Sequence, residues 1–144
     1  MTNFATQQDL VDRFGSTELV QLTDRVNRPP TTIEATAVSQ ALADASALAS
    51  GYVGKFYKLP MASVPQALVR ATADIARFYL WGSKAETDGE VERNFKIAVA
   101  WLKDISRGVV QLDVEGVAPA QPEGGSVQIS APERRFSRAS MRGL

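Results

Sequence analysis

The sequence predicts an all-α protein: a compact bundle of about four to five helices over residues 1–108, then an extended C-terminal arm, 109–144, with room for short β-strands. Three observations carry this. Apolar residues recur at three- and four-residue steps in successive segments. Helix start and stop residues bracket those segments. After Gly108 the helical period gives way to short alternating runs and a linker rich in proline, alanine and glycine.

The first element is predicted in TQQDLVDRFG. Thr6 with Asp9 three residues on resembles a capping box, Leu10, Val11 and Phe14 form the apolar stripe, and Gly15 is a natural stop. STELVQLTD predicts a second short helix, with Ser16 as cap and Leu19, Val20 and Leu22 as its apolar residues. Residues 24–32, DRVNRPPTT, read as a loop, because two consecutive prolines cannot sit inside a helix and Arg28 before Pro29 is pushed toward extended conformations.

Thr31 or Thr32 is then expected to cap the longest helix, Ile33 to Phe56. Its predicted stripe is Ile33, Ala37, Ala41, Ala45, Leu48, Tyr52 and Phe56. Abundant alanine favours helix there, and Gly51 and Gly54 weaken its end by about 1 kcal/mol each relative to alanine. Pro65 is expected as the first residue of the next helix, which buries Leu68, Ala71, Ile75 and Phe78 and stops at Gly82. A last helix is expected from Asp88 as cap, with Glu90 and Glu92 in its first turn suiting the dipole. Its stripe is Val91, Phe95, Ala98, Leu102 and Ile105, and Gly108 ends it. VVQLDVEGV, from 109, and SVQIS, from 126, read as candidate short strands in the arm.

Composition narrows the chemistry. There are 16 basic and 16 acidic residues, a net charge of zero, where a dedicated polyanion-binding module would carry a basic excess. Cysteine and histidine are both absent, which removes disulfides, thiol nucleophiles, imidazole acid–base chemistry and most zinc sites. No glycine-rich phosphate loop appears, and the carboxylate pairs Asp9/Asp12 and Glu90/Glu92 have the spacing of solvated helix faces. The expectation is therefore no enzyme, no cofactor and no metal. MTNFATQQDLV lacks the basic and apolar regions of a signal peptide, and no run is long enough to span a membrane.

Aromatic residues mark candidate contacts. Trp101 falls beside the stripe of the last helix, which fits either the edge of a small core or a subunit interface. Trp81, at a helix end, and Tyr57 join it as candidate subunit-interface residues. Lys55 and Lys58 lie among aromatics, but two lysines are too few for a single-strand nucleic-acid site and read as a solvated helix end. The tail, SAPERRFSRASMRGL, is different. Arg134, Arg135, Arg138 and Arg142 alternate with Phe136, Met141 and Leu144, and Ile129 precedes them. A segment this short cannot bury Phe136 alone. Docked in a partner's groove, that ring contributes about 1.5–3 kcal/mol, and the arginines supply forked hydrogen bonds to carboxylates or phosphates. These eight residues are the candidate partner-binding set.

The chain resembles the Mu-like phage and prophage head–tail adaptor family, also described as head-completion or neck connector proteins. The likeness rests on ATQQDLVDRFG (5–15), LVQLTDR (19–25), ALADASALASGYVGKFYKLP (41–60), VPQALVRATADIARFYLWG (64–82), WLKDISRG (101–108) and the tail. It covers nearly the whole chain in order, and it departs at DRVNRPPTT, where acidic, glycine-rich versions are common. The resemblance implies a helical subunit of a ring, a dodecamer by family likeness, below the portal protein at the capsid vertex. It implies a virion protein of the neck, assembled in the bacterial cytoplasm. The ring would extend the channel for genomic DNA, with no sequence-specific binding, and would meet a tail-side neck or tail terminator protein. The arm 109–144 would anchor it to the portal. The alternative is a nucleic-acid-binding packaging or regulatory factor that uses the tail arginines.

Overall fold

The computed structural model describes residues 2–114, and their fold is helical. Five α-helices follow in order: α1 (Gln7–Phe14), α2 (Ser16–Thr23), α3 (Ala35–Val53), α4 (Gln66–Trp81) and α5 (Glu90–Ser106), with a 3-10 turn at Gly82–Lys84 after α4. α4 is the central helix. It packs along α5 on one side and α3 on the other, with α1 and α2 across it.

Local chemistry explains most boundaries. Thr6 and Asp9 form a reciprocal capping box, with Thr6 N–H donating to Asp9 Oδ2 at 2.7 Å and Asp9 N–H donating to Thr6 Oγ1 at 3.3 Å. Gly15 ends α1 and also caps α2, at φ 87°, a backbone that glycine adopts without a Cβ penalty. Ser16 is therefore the first helical residue of α2, not its cap. Pro65 likewise stands just outside α4, as its cap.

Three further expectations change. α3 is shorter than predicted and is capped by Glu34, whose carboxylate accepts from Thr36 N–H at 3.3 Å. Thr31 and Thr32 are drawn instead to the carboxylate of Asp24. α5 is capped by Gly89; Asp88 precedes it at φ 58° and donates its N–H to Glu92 Oε2 at 2.6 Å.

The core is contiguous, centred on Leu10, Leu19, Val38, Leu68, Ile75, Leu102 and Ile105. The buried face of α3 is Val38, Ala41, Leu42, Ala45, Ser46, Ala49 and Val53. Leu48, Tyr52 and Phe56, predicted on its stripe, lie at its margin. α3 faces α1, α4 and α5 together, so small residues occupy the tight middle and large ones the edges. Ser46 Oγ accepts from Phe4 N–H at 3.0 Å, which fastens the N-terminal segment and buries Phe4 and Ala5.

The start of the predicted arm rests on this body. Leu112 and Val114 are buried, and Leu112 N–H donates to Tyr57 Oη at 2.8 Å. No strand forms over 109–114. The rest of the arm, including SVQIS and the basic tail, lies outside the described residues.

Candidate functional site

Three features of the body present chemistry at its surface. The first is an ionic knot across three helices. Arg77 on α4 donates from Nε and Nη2 to the Glu18 carboxylate of α2, at 2.7 and 3.0 Å, and from Nη1 to Glu90 of α5 at 3.2 Å. Its guanidinium stacks 4.5 Å from the Phe14 ring, and Trp81 Nε1–H donates to Glu18 Oε1 at 2.8 Å. Burial pulls the Glu18 carboxyl upward, but the hydrogen bonds from Arg77 and Trp81 and the Arg77 charge prevail and hold it below its usual value. Burial likewise opposes the Arg77 charge, and Glu18 and Glu90 outweigh it. A forked guanidinium–carboxylate pair with its remaining donors satisfied fixes geometry, so the knot sets how α2 and α5 sit on α4.

The second feature is the loop between α2 and α3. Asp24 turns its carboxylate inward and collects six hydrogen bonds. Oδ1 accepts from Val26 N–H and Asn27 N–H at 3.1 and 2.9 Å. Oδ2 accepts from Asn27 Nδ2, Thr31 N–H, Thr32 N–H and Thr32 Oγ1 at 2.9, 2.9, 3.1 and 3.3 Å. The backbone amides of Asn27 and Thr31 lead the set that holds this carboxyl far below the usual carboxylate range. Thr23 adds a further tie, accepting from Glu34 N–H at 3.0 Å while donating to Leu19 carbonyl at 2.7 Å. At the tip, Val26 is 86% exposed between the exposed Arg25 and Arg28.

The third feature is a groove of about 300 Å³ between α4 and α5, lined by Arg70, Asp74, Asn94, Ile97 and Trp101 over a floor of alanines. Ile97 is 66% exposed. Burial raises the Asp74 carboxyl against the pull of Arg70, Arg77 and Arg13. Among the described residues Asp74 makes no hydrogen bond; its nearest cation is Arg70, at 4.0 Å, with a side chain 75% exposed. The groove thus offers apolar surface and one incompletely matched carboxylate.

The residues expected at subunit contacts separate. Trp101 lines the groove, half-buried. Trp81 is committed through its indole N–H to Glu18. Tyr57 is 6% exposed, and its hydroxyl holds Leu112, so it works inside the subunit. Lys55 donates from Nζ to the Ser106 carbonyl at 2.9 Å, supporting the end of α5, while Lys58 is exposed. Ile129, Arg134, Arg135, Phe136, Arg138, Met141, Arg142 and Leu144 lie outside the described residues. Sequence reasoning passed over Asp24, Val26 and Asp74. Asp24 had a legible signal, since Asp with Asn three residues on suits a side-chain-closed turn. Asp74 had none, because its setting depends on which face of α4 meets α5.

Comparison with known proteins gives a consistent result. The family model described as "Bacteriophage Mu, Gp36" matches residues 4–131. The chain is 34% identical over 140 residues to "Gene product J" of Escherichia phage Mu, covering 94% of this chain and 95% of that protein. It is 26% identical over 132 residues to "Mu-like prophage FluMu protein gp36" of Haemophilus influenzae (strain ATCC 51907 / DSM 11121 / KW20 / Rd), covering 91% of each.

Proposed function

The chain belongs to the bacteriophage Mu Gp36 family, and from that premise we propose that it is a structural head–tail adaptor of the virion neck. In this reading copies form a ring below the portal, extend the DNA channel and offer a platform to a tail-side protein. The observation that carries it is the division of the chain. A helical body with exposed apolar surface at Val26 and Ile97 is followed by a tail whose final eleven residues hold four arginines and no acid. Such a body suits repeated contacts between copies, and such a tail suits docking on another protein. Many copies of a weak tail contact give strong attachment through avidity. A near-neutral subunit also lets DNA slide, where a strongly basic channel would hold its phosphates.

The test mixes portal with the full chain, or with a chain truncated after Ser130, and images both by negative stain. The reading expects a ring beneath the portal with the full chain only. Equal rings from both would move the contact to the helical body, and no ring from either would remove the portal as partner. The four clustered arginines also favour a second reading, a nucleic-acid-binding packaging or regulatory factor. That reading expects DNA binding that falls steeply with salt and disappears with the tail.

A further inference from the structure

The Asp24-clamped loop has no role in the core, yet it is held by more side-chain hydrogen bonds than any other loop among the described residues. Its product is a fixed tip with an apolar residue facing water between two arginines. The α4–α5 groove has the opposite character: exposed Ile97, half-buried Trp101, and a carboxylate short of partners. We infer that the Val26 loop of one copy docks in the α4–α5 groove of a second copy, with Val26 against Ile97 and Trp101 and Arg25 or Arg28 on Asp74. This rests on the ring reading above and names the surfaces through which such a ring would form.

Charge complementarity runs both ways. Glu34 and Asp44 lie beside the Val26 loop, in one cleft with Val26 and Arg25, and Arg70 stands on the groove rim. Docking therefore brings an arginine to Asp74 and an acid to Arg70. A loop fixed before contact loses little conformational freedom on binding, which the Asp24 clamp supplies.

Geometry directs the contact to another copy. Arg25, Arg28 and Pro30 lie against the Tyr79–Lys84 end of α4, while the groove uses Ala67 to Asp74. Ten helical residues between Arg70 and Leu80 span about 15 Å, so a subunit's own loop does not reach its own groove. A contact between two different patches is heterologous, the kind of contact that builds a ring when its rotation closes.

The chain has no cysteine, so two introduced thiols report the contact directly. Copies carrying Val26→Cys are mixed with copies carrying Ile97→Cys and oxidised. The inference expects the mixed disulfide dimer to exceed, by roughly tenfold, the dimer from a mixture of Val26→Cys with Val109→Cys, an exposed apolar control. Equal yields would overturn it. Self-association is then followed by sedimentation. Val26→Asp, at an exposed tip that leaves the fold alone, is expected to weaken it roughly tenfold. Asp74→Arg is expected to do the same, with recovery when the second copy carries Arg25→Asp and Arg28→Asp. Unchanged association of either single variant, or no recovery in the charge-swapped pair, would also overturn it. Portal binding is read separately: a mixed disulfide without portal rings would leave this contact standing and sink the adaptor reading alone.

Discussion

Residues 24–34, before α3, hang on the Asp24 carboxylate, whereas residues 54–65, after it, hang on the Tyr57 ring. The first loop is closed by backbone amides turned toward one charge, and its valine stays in water. The second buries Tyr57 and packs Phe56, Leu59, Met61 and Val64 against the core, and the Tyr57 hydroxyl then captures the chain leaving α5. The difference is one of what remains available. A loop shaped by apolar burial uses up its apolar side chains. A loop shaped by a carboxylate keeps one to offer.

The largest way to break this comparison is Tyr57→Ala. It removes a buried ring and is expected to cost about 3–5 kcal/mol in chemical denaturation. A loss near zero would mean that the second loop is not held by burial. Tyr57→Phe sharpens the same point, since it keeps the ring and strands the Leu112 N–H. A loss of about 1 kcal/mol is expected, with faster amide exchange at Leu112. Asp24→Asn acts on the other loop. It removes the charge and turns one of the two accepting oxygens into an NH2 group that faces donors, so amide exchange at Asn27, Thr31 and Thr32 should quicken while the thermal midpoint moves little. A large fall in that midpoint would show that the loop is part of the cooperative core.

The smallest effect is in pH. The Asp24 carboxyl is depressed by its amide partners, so its contribution is fully present above its ordinary value, 3.8. It declines below that value, as the unfolded chain takes up protons, and is lost as pH falls through the lower folded value. Its carboxyl carbon resonance is therefore expected to stay unchanged from about pH 6 to about pH 3. Titration at the ordinary value would show that the clamp does not hold the charge.

The helices were legible because their signals are local. Thr6 with Asp9, Gly15 and Gly82 act within a few residues of themselves, and the structure uses each as the sequence suggests. The stripes of α4 and α5 were legible in their aliphatic residues, since large apolar side chains at helical spacing leave one choice of face, but Phe78 and Phe95, expected on those stripes, are only half-buried and stack on each other at 4.2 Å. α3 was not, because its alanines fit several faces and only its neighbours select one. The caps of α3 and α5 were misplaced for a related reason. Thr31, Thr32 and Asp88 are good caps in isolation, but the Asp24 carboxylate holds the Thr31 and Thr32 amides and the Thr32 hydroxyl in the loop, and Asp88 turns at φ 58° ahead of Gly89.

By itself the sequence determined a helical body, its element order and the phage family to which the chain belongs. Those follow from periodicity, caps and matched order along the chain, all of which are one-dimensional. Only the tertiary structure decided that Arg77 ties α2 to α5 through Glu18 and Glu90, that Asp74 faces a groove, that Tyr57 turns inward to Leu112, and that Val26 stays outside. Each depends on which side chains meet across elements, and burial and hydrogen-bond satisfaction settle that choice after the helices have packed.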